Sequence, residues 1–288
     1  MTARHPCRPA AVPSVPVPSK APPPPLLGPD DPPPVTRLNA GSAVPVVLVC
    51  DHAGRAIPAS LDRLGLDADA LERHIAWDIG AARVTRALAA RFGAAAVLAN
   101  YSRLVIDTNR ALHDPTAIPV ISDEVVIPGN RTIDAHEQDR RVDALFTPYQ
   151  DAIADVIAGH RAAGRVPALV SVHSFTPVMR GFARPWHVGI LWDYDPRIPV
   201  PLMERLRADG RWCVGDNQPY SGRGTLGGTV ETHAIPAGLP NVLIEIRQDL
   251  IADDAGVAAW AGVLGDALAP ILADPALYRV RLYPRGPA

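Results

Sequence analysis

Apolar positions along this chain follow two alternating rhythms. Residues 43–50 form an unbroken, β-branched apolar run ending at Cys50, as a strand buried on both faces requires. Similar runs at 94–98, 104–106, 167–172, 186–192 and 241–246 predict further strands. Between them the spacing turns helical. Leu71, Ile75, Ile79, Val84 and Leu88 predict one helix over 67–92, with Gly93 as its C-cap. A long amphipathic helix is predicted over 132–164, with Thr132 as N-cap and Gly164 as its stop, and others over 199–209 and 256–273. Residues 111–131, rich in turn formers, read as a long excursion of the kind that carries function. Strands alternating with helices imply a three-layer α/β/α fold around a mixed, mostly parallel sheet. In such sheets ligands gather at the carboxyl ends of the strands.

The N-terminus breaks this pattern. Thirteen prolines fall in the first 40 residues, and proline has no amide donor and a fixed φ. Residues 1–40 are therefore expected to be a disordered, polyproline-like tail, and 41–288 a single domain. The prolines also interrupt any apolar segment a signal peptide would need. No run of about 18 apolar residues stands out, so no membrane span is expected. Lys and Arg number 28 against 30 Asp and Glu, which argues against a nucleic-acid partner. Cys7, Cys50 and Cys213 form no CxxC pair, which excludes a disulfide framework and fits a reducing, cytoplasmic setting.

Polar groups at the strand ends carry the candidate chemistry. Asp51-His52 follows the first long strand directly, and His173 follows the 167–172 strand. Two such histidines point to a metal site, since neutral imidazole is the commonest zinc ligand and catalytic zinc takes three protein ligands plus water. The third ligand is open between Asp51 and Asp78; Asp78 also reads as a helix N-cap. Glu245 sits in the apolar run Val242-Leu-Ile-Glu-Ile246. Burial there raises a carboxyl pKa, as a general base needs, unless Arg247 neutralises it. Arg103, Asn109 and Arg110 crowd one segment with Asp107, and an Asn-Arg pair suits a carboxylate clamp. The glycine-rich stretch 222–228 lacks a P-loop ending and reads as a mobile loop near substrate. His74, His113, His136, His160 and His187 read as surface or core residues, and His233 as a neighbour of the site. No Gly-x-Ser-x-Gly elbow is present, which disfavours a serine hydrolase.

Several segments, in order, resemble the N-formylglutamate amidohydrolase family. They are Val47-Leu-Val-Cys-Asp-His-Ala-Gly-Arg-Ala-Ile-Pro58, Trp77-Asp78, Tyr101-Ser-Arg-Leu-Val-Ile-Asp-Thr-Asn-Arg110, Arg184-Pro-Trp-His-Val-Gly189, Asp216-Asn-Gln-Pro-Tyr-Ser-Gly222 and Leu243-Ile-Glu-Ile-Arg247. The resemblance spans roughly residues 43–275. It implies a zinc exopeptidase-like fold, one divalent metal (zinc), and hydrolysis of an N-acyl amide such as that of N-formyl-L-glutamate. It makes His52 and His173 metal ligands, Glu245 the general base, Arg103 an oxyanion stabiliser, and Asn109, Arg110 and Tyr220 substrate-binding residues. Zinc carboxypeptidases carry a Glu three residues after the first His, where this chain has Arg55. The carboxylate ligand must then come from elsewhere, and Asp78 is the choice.

Overall fold

The computed structural model describes residues 25–224 and 227–283. Its elements run β1 (Val35–Leu38), β2 (Val46–Cys50), α1 (Ala68–Glu72), α2 (Ala81–Phe92), β3 (Ala95–Ala99), β4 (Ile121–Ser122), β5 (Val125–Val126), α3 (Ala135–Arg141), α4 (Thr147–Ala162) and β6 (Ala168–Phe175). They continue through β7 (Val178–Met179), β8 (Phe182–Ala183), β9 (Val188–Leu191), α5 (Pro199–Ala208), β10 (Val214–Asp216), α6 (Thr229–His233), β11 (Asn241–Arg247) and α7 (Asp254–Leu272).

Seven strands form one sheet in the order β1-β3-β2-β6-β11-β9-β10. Strands β3, β2, β6 and β11 are mutually parallel, β1 runs antiparallel on one edge, and β9 with β10 reverses direction beyond β11. The sheet is thus mixed and mostly parallel, as the strand-helix alternation predicts. Side chains alternate across it. Leu48, Val170, Val172, Val242 and Ile244 pack on one face with α2, α5 and α7. Val47, Val49, Leu169 and Tyr149 pack on the other with α4 and α6. A separate cluster around Leu64, Leu104 and Ile127 supports the segments above the strand ends.

Several expectations change. The fold begins before residue 41: Leu26 is buried, and β1 pairs with β3 through Val35 opposite Ala99. Proline lacks a donor but keeps its carbonyl, so at an edge it still accepts. Pro34, Pro33 and Pro32 accept from the Asn100 amide, the Asn100 side chain and the Tyr101 hydroxyl. Residues 1–24 of the expected tail lie outside the described residues. Residues 104–106, expected as a strand, form a buried turn around the Ser102 hydroxyl, which accepts from the Leu104 amide at 3.1 Å.

The helix expected over 67–92 is two helices. α1 ends at Glu72, and α2 starts after Gly80, whose φ is +82° and whose missing Cβ makes room for Ile251. The long helix over 132–164 is present as one continuous helical run from Ala135 to Ala162. Asp134, not Thr132, caps it by accepting from Glu137 N at 2.8 Å, and a π-turn at Val142–Phe146 joins α3 to α4. Gly93 and Gly164 end their helices in the left-handed region, as predicted. α7 has 19 residues with a mean hydropathy of 1.5, long and apolar enough by length and composition to cross a membrane. Small residues and Asp266 hide that in the sequence. In the fold, Trp260, Leu264 and Leu268 form its buried stripe against α2 and α5.

Candidate active site

The central strands deliver the site. Glu245 on β11 is the register partner of His173 on β6, so the two side chains leave the same face, side by side. His52 follows the end of β2, two residues before Gly54, where a Cβ would strike the Asn100 backbone. The break between α1 and α2 carries Asp78 inward, and its amide donates to the His52 carbonyl at 2.9 Å. Asp78 is not the helix cap: its Oδ2 accepts from Ser174 N at 3.2 Å, and Gly80 occupies the cap position.

Three donors converge here. Asp78 Oδ2 stands 2.9 Å from His173 Nδ1 and 3.4 Å from His52 Nδ1. His52, Asp78 and His173 present ligand atoms all within 4.8 Å of one another, the arrangement a single ion needs. The far nitrogens are anchored on carboxylates: His52 Nε2 on Asp107 Oδ1 at 2.7 Å, and His173 Nε2 on Asp51 Oδ2 at 2.8 Å. An ionised carboxylate only accepts, so each Nε2 carries a proton, and a neutral ring then turns its Nδ1 lone pair toward Asp78. Two nitrogen lone pairs facing a carboxylate repel unless a positive charge joins them. His52 Nδ1 and Asp78 Oδ1 are also buried without a hydrogen-bond partner among the described residues. Imidazole and carboxylate donors suit zinc.

With no ion bound, a proton on His173 supplies that positive charge. Burial lowers the His173 pKa, but its bonds and proximity to Asp51 and Asp78 more than offset this and hold it well above its usual value. Asp107 is held far below the usual carboxylate range: burial opposes this, and Arg103 and His52 overcome it. Glu245 differs. Burial dominates, opposed by His173 and reinforced by Asp78, and its pKa is pushed up to about 7. Its Oε2 has no hydrogen-bond partner among the described residues, and Arg247 pairs with Asp249 at 2.8 Å instead.

A cavity of about 1270 Å³ opens over this cluster, lined among others by His52, Asp78, Arg103, Asn109, Arg110, His173, Tyr220 and Glu245. The fold therefore brings these eight sequence-predicted residues to one cavity, while Asp51, the other carboxylate candidate, and His233 do not line it.

Residues 44–252 match the family model of N-formylglutamate amidohydrolase. The chain belongs to that family. Its members are hydrolases of C–N bonds other than peptide bonds. The crystal structure of a gene product from Agrobacterium tumefaciens is similar over 86% of this chain and 98% of its own, at 40% identity and a TM-score of 0.83. An N-formylglutamate amidohydrolase from Ralstonia eutropha JMP134 shares the fold at 20% identity and a TM-score of 0.64, over 83% of this chain and 97% of its own. No curated protein matches this chain in sequence.

Within the family's matched span the details refine the expected arrangement. Asp51 has no lone pair left for a cation, because His173, Ser171, Tyr149 and Thr229 all donate to its carboxylate. That leaves Asp78 as the carboxylate among the histidines. Arg103 gives Nε and Nη2 to Asp107 at 3.2 and 2.8 Å, with Nη1 3.6 Å from Asp78. Arg110 is exposed at the cavity edge, while Asn109 is half-buried and its Oδ1 accepts from Thr229 N at 2.8 Å. The Tyr220 hydroxyl accepts from Arg184 at 3.1 Å. Gly222, Gly224 and Gly228 line the cavity; residues 225 and 226 lie outside the described residues.

His74 and His113, read as core or surface, line the cavity too, and burial lowers the His74 pKa to about 4. His233 turns to Gln150 at 2.6 Å. Sequence reasoning missed the group holding Asp51. The only signal available was its position beside His52, since Tyr149, Ser171 and Thr229 lie 98, 120 and 178 residues away.

Proposed function

We propose that this chain is a metal-dependent amidohydrolase that removes the N-acyl group of an acidic amino acid, with N-formyl-L-glutamate as the reference substrate. The observation that carries the reading is the convergence of His52 Nδ1, His173 Nδ1 and Asp78 Oδ2 beside Glu245.

His52, Asp78 and His173 would hold one divalent ion, zinc by donor type. When bound, such an ion supplies Lewis acidity that polarises the amide carbonyl and acidifies water. Glu245 takes a proton from the attacking water as its oxygen bonds to the acyl carbon, and passes that proton to the departing nitrogen as the C–N bond breaks. Formate and the free amino acid result. Arg103 Nη1 faces the developing oxyanion. Because Asn109 Oδ1 is occupied by Thr229 N, Nδ2 is the edge left to bind a substrate carboxylate, beside the Arg110 fork. Tyr220 lines the same cavity, with its hydroxyl set by Arg184.

A second reading widens the acyl group. The cavity exceeds the size range of an ordinary small-molecule pocket. Ile121 and Val178, on the β4–β5 and β7–β8 hairpins, line it while remaining 61% and 53% exposed. Larger N-acyl amino acids would cover them.

Elemental analysis with a hydrolysis panel tests both readings. About one zinc per chain, lost in His52→Ala and His173→Ala, with release of formate from N-formyl-L-glutamate, supports the first. Faster turnover of longer N-acyl glutamates favours the second. Protein that takes up no metal and cleaves no N-acyl amino acid overturns both.

A further inference from the structure

Thr229 opens α6 directly after the glycine-rich stretch, and it is fully buried. Its Oγ1 donates to Asp51 Oδ1. The other oxygen of Asp51 holds His173 Nε2 at 2.8 Å, and His173 Nδ1 is the nitrogen facing Asp78. Its backbone N–H donates at 2.8 Å to Asn109 Oδ1. A Cβ on the preceding Gly228 would lie only 3.0 Å from that oxygen, so the approach is tight.

We propose that Thr229 is a positioning residue joining two parts of the site. Its hydroxyl fixes Asp51 and through it the ring orientation and tautomer of His173. Its amide fixes the rotamer of Asn109, so that Nδ2 rather than Oδ1 faces the substrate carboxylate. The proposal rests on the metallo-amidohydrolase reading above. Tyr149 and Ser171 also donate to Asp51, but neither touches the carboxylate clamp. Among these donors Thr229 alone reaches both.

The two roles separate by substitution. Thr229→Val keeps shape and amide but loses the hydroxyl; Thr229→Ser keeps both donors. Removing such an outer partner of a metal-bound histidine typically weakens metal binding about 10–100-fold. The expected result is a zinc Kd raised by about that factor in Thr229→Val and within about threefold of wild type in Thr229→Ser. The cobalt-loaded visible spectrum should shift in the valine variant alone. Thr229→Pro removes the amide as well, at a first helical position that proline tolerates. At saturating metal its KM for N-formyl-L-glutamate should exceed that of Thr229→Val by about tenfold.

A merely structural role would lower the melting temperature of Thr229→Val and leave Kd and spectrum unchanged, and that outcome overturns the proposal. So does equal weakening in valine and serine variants. The valine–serine comparison decides the metal arm whether or not the proline variant folds. If wild type binds no zinc, the underlying reading has failed; if wild type binds and Thr229→Val matches it, only this inference has.

Discussion

Glu245 is a buried acid with one oxygen unpartnered among the described residues and a pKa pushed up to about 7, on a strand whose neighbouring side chains are apolar. A carboxyl held that way without a structural partner is suited to moving protons. Glu245→Gln keeps the shape and removes the base, so kcat should fall by about 10²–10⁴-fold with zinc content unchanged. Stopped assays on metal-loaded protein check this, and full turnover in the glutamine variant would sink the base assignment. At this scale much of the site was legible. His52, His173 and Glu245 each end or interrupt an apolar run, where a polar side chain needs a reason. The carboxylates behind the histidines were less so. Asp107 read as one charge in a crowded loop and Asp51 as a spare ligand, because which nitrogen each would meet depends on the sheet order.

Elements were legible where the pattern was uniform and misread where function bends the chain. The central strands stood out because burial on both faces leaves no polar alternation. The helix over 67–92 was overextended because Leu71, Ile75 and Ile79 keep helical spacing through the turn that brings in Asp78. Helix α4 carries a pH dependence of its own. His160 is buried near its end, and Arg165 Nε donates to its Nδ1 at 3.3 Å, which requires the neutral ring. Burial, then the Arg165 charge, lowers its pKa below 6.5. Its folded-state pKa is depressed, so the unfolded chain binds the proton more readily. The stability this ring contributes is complete above about pH 6.5 and is lost as pH falls toward the folded pKa. Urea midpoints at about pH 7.5 and 5.5 should therefore drop more for wild type than for His160→Gln; equal drops would remove His160 as a source.

At the scale of the molecule, the start of the folded unit matters most for anyone truncating the chain. A protein beginning at residue 41, the boundary composition suggests, would lose β1 and the buried Leu26. Losing one buried leucine alone costs about 2 kcal/mol, or about 4–8 °C in a chain this size. Scanning calorimetry should show at least that difference from the full chain; an unchanged melting temperature would mean that β1 contributes nothing to the sheet. Composition missed this edge because it weighed the prolines for the donors they lack and not for the carbonyls they keep.

The pairing of Glu245 with His173 across two central strands has a consequence for redesign. Slipping that ladder by one residue would send the glutamate to the opposite face, so the proton carrier and its neighbour cannot be retuned separately. The β4–β5 and β7–β8 hairpins at the rim carry no such constraint. Exchanging them between relatives should change which amides are admitted while the point at which water meets the carbonyl stays where the strands put it.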